Sequence, residues 1–353
     1  MRSSSRLTTA ALAVAALSLA LGCSLSLAAS SASIPGYHGA EATLPNAYGK
    51  PTLKSGTSCT IGFQNPLAAN ESLQWFQKAA VAQAKADGCK IIVLDDALSP
   101  DKQVSNMQQL LAQGAQAIIF YPLDPKATLP VLKQAQDKGV PVIAIDATFG
   151  NPKLPVAPGI VTQVWQGRDI MAFLQVQALK AVDPNAKVGL VGIGAPVPAL
   201  KYLNQREAYY AKQAGMTVVG SQDNPTDDVT GGEKAGNGLI QRYSDMDSVI
   251  GYNDPSALGT VIAAKGAGRK RIAIGLNGTS DGIAGVKNGQ LAATVQGAPV
   301  DLGIQSVTAA YDLITKQHLP LPKVVVEPPR IVTKANVNTI TNWAQQLAAI
   351  GKS

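Results

Sequence analysis

The sequence has 353 residues, enough to bury a large core and to form two domains. Hydrophobic residues make up 46% and charged residues 15%, a balance that excludes wholesale disorder. The formal charge of +7 is spread along the chain with no Lys/Arg cluster interleaved with aromatics, which argues against a nucleic-acid partner.

Arg2 and Arg6 followed by the apolar stretch 7–22 read as an export signal over residues 1–32. Two processing readings stay open. Leu19-Ala20-Leu21-Gly22-Cys23 resembles a bacterial lipoprotein signal that would lipidate Cys23, although Leu21 stands where a small residue is usual. Ordinary cleavage near Ser30 or Ala32 is the alternative. No later apolar run is long enough to span a bilayer, so membrane attachment is expected only through such a lipid. Residues 33–57 are rich in Pro, Gly and small polar residues and are expected to form a flexible tether.

From there strands and helices alternate. A strand at 60–64 leads to a helix at 71–87 that stops at Gly88. Strand 90–95 is followed by Ser99-Pro100, a cap and first-turn proline opening helix 100–113. Strand 116–121 is followed by Asp124-Pro125, which opens helix 125–138 in the same way, and strand 140–145 closes the set. Cys59 and Cys89 each stand directly before a strand. Parallel neighbours would bring them into disulfide range, and an exported chain would permit the bond; two buried free thiols are the alternative.

The segment 148–159 (TFGNPKLPVAPG) is the clearest break in composition and reads as the approach to a second domain. Strands are then expected at 159–164, 187–192, 216–221, 248–252, 271–276 and 291–296. Helices are expected between them at 166–182, 199–214, 229–243, 255–265 and 281–288. A helix at 300–316, an extended stretch at 324–332 and a last helix near 336–349 complete the chain.

Several of these strands are unbroken Val/Ile runs ending on a polar residue, as in KIIVLDD, VPVIAID and SVIGYND. Such runs suit parallel sheets covered by helices on both faces, where ligands bind beyond the carboxyl ends of the strands. Asp95, Tyr121, Asp146, Asn253 and Asn277 are therefore expected to converge on one cleft. Each has a plainer reading beside it. Asp146 could cap the next turn, Asn277-Gly278 could be only a turn, and Asn70 could simply cap its helix. In Asn253-Asp254-Pro255, Asp254 is assigned the cap, leaving Asn253 free to reach the cleft. Arg206 could be solvated, or could offer a fork of donors to a ligand or to Asp146. Trp75, Trp165 and Tyr252 read as core or as an apolar cleft wall, and Asp95-Asp96 as a solvated turn.

Catalytic signatures are missing. The two histidines, His38 and His318, have no partner pattern, and no zinc, redox, nucleophile-elbow or phosphate-loop motif occurs. Neither a catalytic residue, a metal nor a cofactor is expected.

Taken in order, KIIVLDDALSPDKQVSNMQQLLAQGAQAIIFYPLD, VPVIAID, QREAYY, VIGYNDPSALG and AIGLNGTSDGIAGVKNGQLAATVQ resemble the ribose-type periplasmic binding proteins that serve ABC importers. The resemblance runs from about Thr60 to Val332. It implies two doubly wound α/β lobes with parallel sheets, joined by hinge crossings near 157–163, 296–299 and 325–330. The lobes would comprise 58–158 with 298–325, and 159–297 with 326–353. By position, Asn70, Tyr121, Asp146, Arg206, Asn253, Asn277 and Gln296 would line the cleft. The implied function is a monomeric receptor that closes on a sugar or polyol and delivers it to a membrane permease. A co-receptor for a membrane sensor and an exported glycoside hydrolase are the alternatives; the second lacks an evident pair of carboxylates. Ala147, Asn277, Tyr121 and Ser72-Leu73 depart from the ribose pattern, which points to another sugar or a polyol.

Overall fold

The computed structural model describes residues 34–54, 56, 58–148 and 154–352; the expected export signal and Cys23 lie outside them. In chain order the first set of elements is β1 (Thr60–Asn65), α1 (Glu71–Ala86), β2 (Lys90–Asp95), α2 (Pro100–Ala112), β3 (Ala117–Phe120), α3 (Pro125–Asp137), β4 (Val142–Ile145) and β5 (Ile160–Trp165). The second runs α4 (Arg168–Val182), β6 (Lys187–Ile193), α5 (Pro198–Gln213), β7 (Thr217–Asn224), α6 (Val229–Arg242), β8 (Ser248–Gly251), α7 (Asp254–Gly266), β9 (Ile272–Asn277), α8 (Ser280–Asn288) and β10 (Ala293–Gln296). The chain ends with α9 (Pro299–Thr315), β11 (Val324–Val326), β12 (Arg330–Thr333) and α10 (Trp343–Ala349).

Two six-stranded sheets result, ordered β11-β5-β4-β3-β1-β2 and β12-β10-β9-β8-β6-β7. Pairing is parallel throughout except for β12, which runs antiparallel to β10. The apolar runs are buried because helices cover both faces: β3, β4, β8 and β10 bury every residue. Helix starts follow the predicted chemistry. Ser99 caps α2 and Asp124 caps α3, each just before a first-turn proline whose missing N–H costs nothing there. Cys59 and Cys89 form a disulfide with Cα atoms 4.6 Å apart, because β1 and β2 pair in register from Thr60 and Lys90.

Four placements differ from expectation. β5 pairs with β4 and β11, so it belongs to the first lobe. The first crossing therefore falls after β5, at Gln166-Gly167, and not before it. Gly167 has φ 68°, and an added Cβ would approach the Glu327 carbonyl at 3.3 Å, so glycine suits this hinge. The other crossings lie at 297–298 and 327–329.

Second, the expected tether is packed. Tyr37 and Tyr48 are 5% and 6% exposed and Glu41 is 1% exposed. Third, α10 does not stay with the second lobe. Trp343 joins a cluster with Ala79 of α1 and Val300 of α9, carrying the C-terminus back to the first lobe. Fourth, the cap of α7 is Asn253 and not Asp254, although Asn253 also reaches the cleft as expected. Asn253 Oδ1 caps α7 by accepting from Ser256 N at 2.8 Å. Asp254 is fully buried and accepts from Thr279 N, Thr279 Oγ1 and Thr294 Oγ1, pinning α7 to the end of β9 and to β10.

Candidate functional site

The carboxyl ends of β3 and β4 face those of β8 and β9 across an interlobe cleft. Its walls are aliphatic. Leu67, Leu73 and Leu98 come from the first lobe, and Ile193, Val197 and Leu200 from the second. Its polar groups sit mostly at strand ends and helix starts.

In the first lobe, Asp146 follows β4 in a left-handed conformation (φ 50°) and is fully buried. Its Oδ1 accepts from the Gln166 amide at 2.8 Å. Its Oδ2 accepts from Gln166 Nε2 at 3.2 Å and Arg168 Nε at 3.0 Å. Arg168 is the first residue of α4, and its Nη2 donates to Tyr121 Oη at 3.4 Å. Tyr121, just past β3, is buried, and burial is the largest influence raising its phenol above the usual range. One arginine, carried on a second-lobe helix, thus ties together two strand ends of the first lobe.

The second lobe contributes Asp227, in the loop between β7 and α6, with φ 59°. Its Oδ1 accepts from Asn253 Nδ2 at 2.7 Å and from Tyr252 Oη, while Oδ2 accepts from Asn70 Nδ2 at 3.0 Å. Burial holds its carboxyl above the ordinary range, and these three donations oppose that rise. No cation pairs with it among the described residues. Beside it Glu71, the first residue of α1, accepts from Ser280 Oγ at 2.6 Å and Ser280 N at 3.0 Å. The lobes therefore meet through two successive residues, Asn70 and Glu71.

Of the seven residues expected to bind ligand, Asn70, Tyr121, Asn253 and Asn277 line the cleft. Asn70 also caps α1, accepting from Leu73 N at 3.3 Å while standing in the cleft lining. Asp146 lies immediately behind this lining and acts on it through Arg168. Gln296 lies at the end of β10, where its Oε1 accepts from Arg330 Nε at 2.8 Å beside the hinge. Arg206 does not reach the cleft. It pairs with Asp169 and lies 4.1 Å from the Tyr209 ring centroid, because its phase on α5 turns it toward the N-terminal segment.

Asp95 also stays outside the lining; its Oδ1 accepts from Ala68 N and Ala97 N and shapes a loop. Asp96, expected in a solvated turn, is fully buried and accepts from Gln64, Gln103 and Asn106. Of the aromatics, Trp165 is core and Tyr252 lines the cleft. Gln166, Arg168 and Asp227 escaped the sequence reading. The one available signal was an arginine opening an otherwise apolar helix, where the helix dipole disfavours it. Among the described residues no cluster of His, Cys, Asp and Glu could hold a metal ion.

A sequence profile of the periplasmic binding protein domain matches residues 61–318. The ribose import binding protein of Haemophilus influenzae is 31% identical over 253 residues, 70% of this chain and 82% of that protein. Its counterpart in Bacillus subtilis is 28% identical over 256 residues, 72% of this chain and 81% of that protein. The fold is shared with an ABC transporter solute-binding protein of Agrobacterium vitis bound to α-D-tagatopyranose, with TM-score 0.72 and 22% identity over 80% of this chain and 97% of the other. The chain belongs to the ribose-type branch of the periplasmic binding protein family.

Proposed function

We propose that the protein is an exported receptor that captures a neutral sugar or polyol between its lobes and hands it to an ABC permease. The observation that carries the ligand class is the charge arrangement in the cleft. Arg168, the cation of the cleft, is already paired with Asp146, and Asp227 faces the cleft as an acceptor with no cationic partner among the described residues, so an anionic ligand would find no unpaired positive group there. Such a site disfavours sugar acids and sugar phosphates and suits ligands that donate hydroxyl groups. Arg168, Gln166, Asn70, Asn253 and Asn277 supply the complementary donors and acceptors, and the aliphatic walls take the C–H faces of the ligand. With Leu73 where a stacking ring would be expected, an aromatic platform for a pyranose is weaker here, and a polyol or a differently configured sugar fits better. Binding closes the lobes and stabilises the fold by mass action, by about 2.7 kcal/mol at 100 times Kd.

The relatives are import binding proteins, and the chemistry of the cleft is that of binding; the proposed activity is capture and delivery. We also propose that the receptor works as a monomer. If Cys23 is the lipidated N-terminus, Cys23→Ser would release the protein from the membrane and abolish palmitate labelling.

A thermal-shift and calorimetric panel tests the ligand class. D-ribose, D-allose, xylitol and myo-inositol are set against D-galacturonate and ribose 5-phosphate. At least one neutral compound is expected to bind and the anions are not. Binding of the anions alone would overturn the proposal.

A further inference from the structure

The segment before β1 lies outside the profile match at 61–318, yet it is built into the body of the protein. It bridges the first hinge crossing. On the first-lobe side, the Pro45 carbonyl accepts from Val326 N at 2.8 Å. Tyr48 Oη lies 2.8 Å from Thr162 Oγ1, and Tyr48 N donates to Gln305 Oε1 at 2.8 Å. On the second-lobe side, Tyr37 Oη donates to Asp169 Oδ2 at 2.8 Å. Between these anchors lies Glu41, whose Oε1 accepts from Asp169 N at 3.4 Å and Oε2 from Ile170 N at 3.0 Å.

Those two amides are the second and third of α4, and the residue before them is Arg168. Helix N-termini leave such donors unsatisfied unless a side chain reaches them, usually from the residue preceding the helix. Here that residue is Gly167, which has no side chain to offer. Glu41 supplies the missing cap from elsewhere in the chain, its two carboxyl oxygens accepting from the two amides.

We propose that Glu41 is a positioning residue for ligand recognition: by capping α4 it fixes Arg168 against Asp146 and Tyr121 in the cleft. The inference rests on the receptor reading above. Arg168 has two anchors in the first lobe, Asp146 and Tyr121, while its backbone starts a second-lobe helix just past a glycine hinge. Whether its guanidinium reaches both depends on where the first turn of α4 stands. Glu41 holds that turn, and Tyr37 holds the neighbouring Asp169. The N-terminal segment is thus part of the binding site without touching its lining.

The test is a double-mutant cycle on the full chain. The probe is whichever of D-ribose, xylitol and myo-inositol shifts the wild-type melting temperature most. Glu41→Ala is expected to weaken binding about tenfold, and Glu41→Gln, which keeps one acceptor and the side-chain volume, about threefold or less. In the Arg168→Ala background, Glu41→Ala should cost less than about twofold more, since its route to the ligand is gone. Hydrogen exchange at amides 169–171 should accelerate in Glu41→Ala while the strands of the second sheet stay protected.

Binding of Glu41→Gln and Glu41→Ala at wild-type affinity would overturn the inference alone. An equal loss in both Arg168 backgrounds would do the same, revealing a general structural effect. Failure of every sugar to bind the wild-type protein would instead bring down the receptor reading, and this inference with it.

Discussion

Asn70 of the first lobe donates to Asp227 of the second at 3.0 Å, across the cleft that each of them lines. Asp227 shares the same carboxylate with Asn253 and Tyr252, so it is an acceptor surrounded by donors. Asp227→Asn keeps the size, and Asn tolerates the left-handed backbone at φ 59°. It also presents an NH2 group where only acceptance is useful. Sugar affinity is expected to fall at least about tenfold in this variant. Asn70→Ala removes one donor and the α1 cap together, lowering stability by about 1 kcal/mol along with affinity. Titration calorimetry beside urea unfolding separates the two effects. Wild-type affinity in both variants would place the ligand elsewhere.

Asp146→Ala is expected to damage the fold as well as binding. The sequence suggests a cleft contact with no core role, but the carboxylate is fully buried against Arg168. Removing it leaves a buried guanidinium without its counter-charge, at a cost of about 3–5 kcal/mol. Replacing both members, Asp146→Asn with Arg168→Met, should recover most of that stability without recovering binding. Urea midpoints measure the first outcome and calorimetry the second. A single variant as stable as the wild type would show that Arg168 finds another partner.

These two cases show where sequence patterns were sufficient. Strand and helix order was legible because Val/Ile runs and Ser-Pro or Asp-Pro pairs act locally, within a turn or a strand. Asn253, Asn277 and Tyr121 were legible because a strand end in a parallel sheet fixes direction as well as position. Arg168 was not, since its role depends on a hinge whose location depends on which sheet β5 joins. Asp227 hid beside Asp228, the actual cap of α6, which accepts from Gly231 N at 2.7 Å. Arg206 was misplaced because residue type on a helix says nothing about which way that face turns. The N-terminal segment reads as a linker by composition, and its few anchors, Tyr37, Glu41 and Tyr48, find partners more than a hundred residues away.

Buried carboxyls give the protein an unusual pH dependence. Burial pushes Glu207 of α5 up to about 8; only Asn204 Nδ2 at 3.0 Å opposes the rise, and Oε1 has no donor among the described residues. Glu41 is likewise raised to about 8 and Asp254 to about 7, burial being the largest cause in each. A carboxyl with a raised folded-state pKa keeps its proton in the native protein while the unfolded chain ionises. Its contribution is therefore full below about pH 4.5 and is lost as pH rises toward 8. Stability should fall between pH 5 and pH 8. Glu207→Met, similar in volume and uncharged, should flatten the profile and add on the order of 2–4 kcal/mol at pH 8. Urea unfolding at several pH values checks this; a variant whose profile parallels the wild type would clear Glu207 of the effect.

The disulfide offers a way to separate stability from function. Cys59 and Cys89 join the amino-terminal ends of β1 and β2, whereas the cleft lies at the carboxyl-terminal ends of the sheets. Six residues of β1 put roughly 20 Å between the two, at about 3.3 Å per residue. The bond closes a loop with a sequence separation of 30, and such a cross-link contributes about 2–4 kcal/mol, chiefly by restricting the unfolded chain. Cys59→Ala with Cys89→Ala should lower the urea midpoint accordingly while leaving sugar affinity within about twofold, because the closed loop constrains strand starts and not the hinge or the cleft. An unchanged midpoint would mean that the bond does not cross-link the folded protein in solution. A drop in affinity matching the loss of stability would mean instead that the strand starts and the cleft open as one unit.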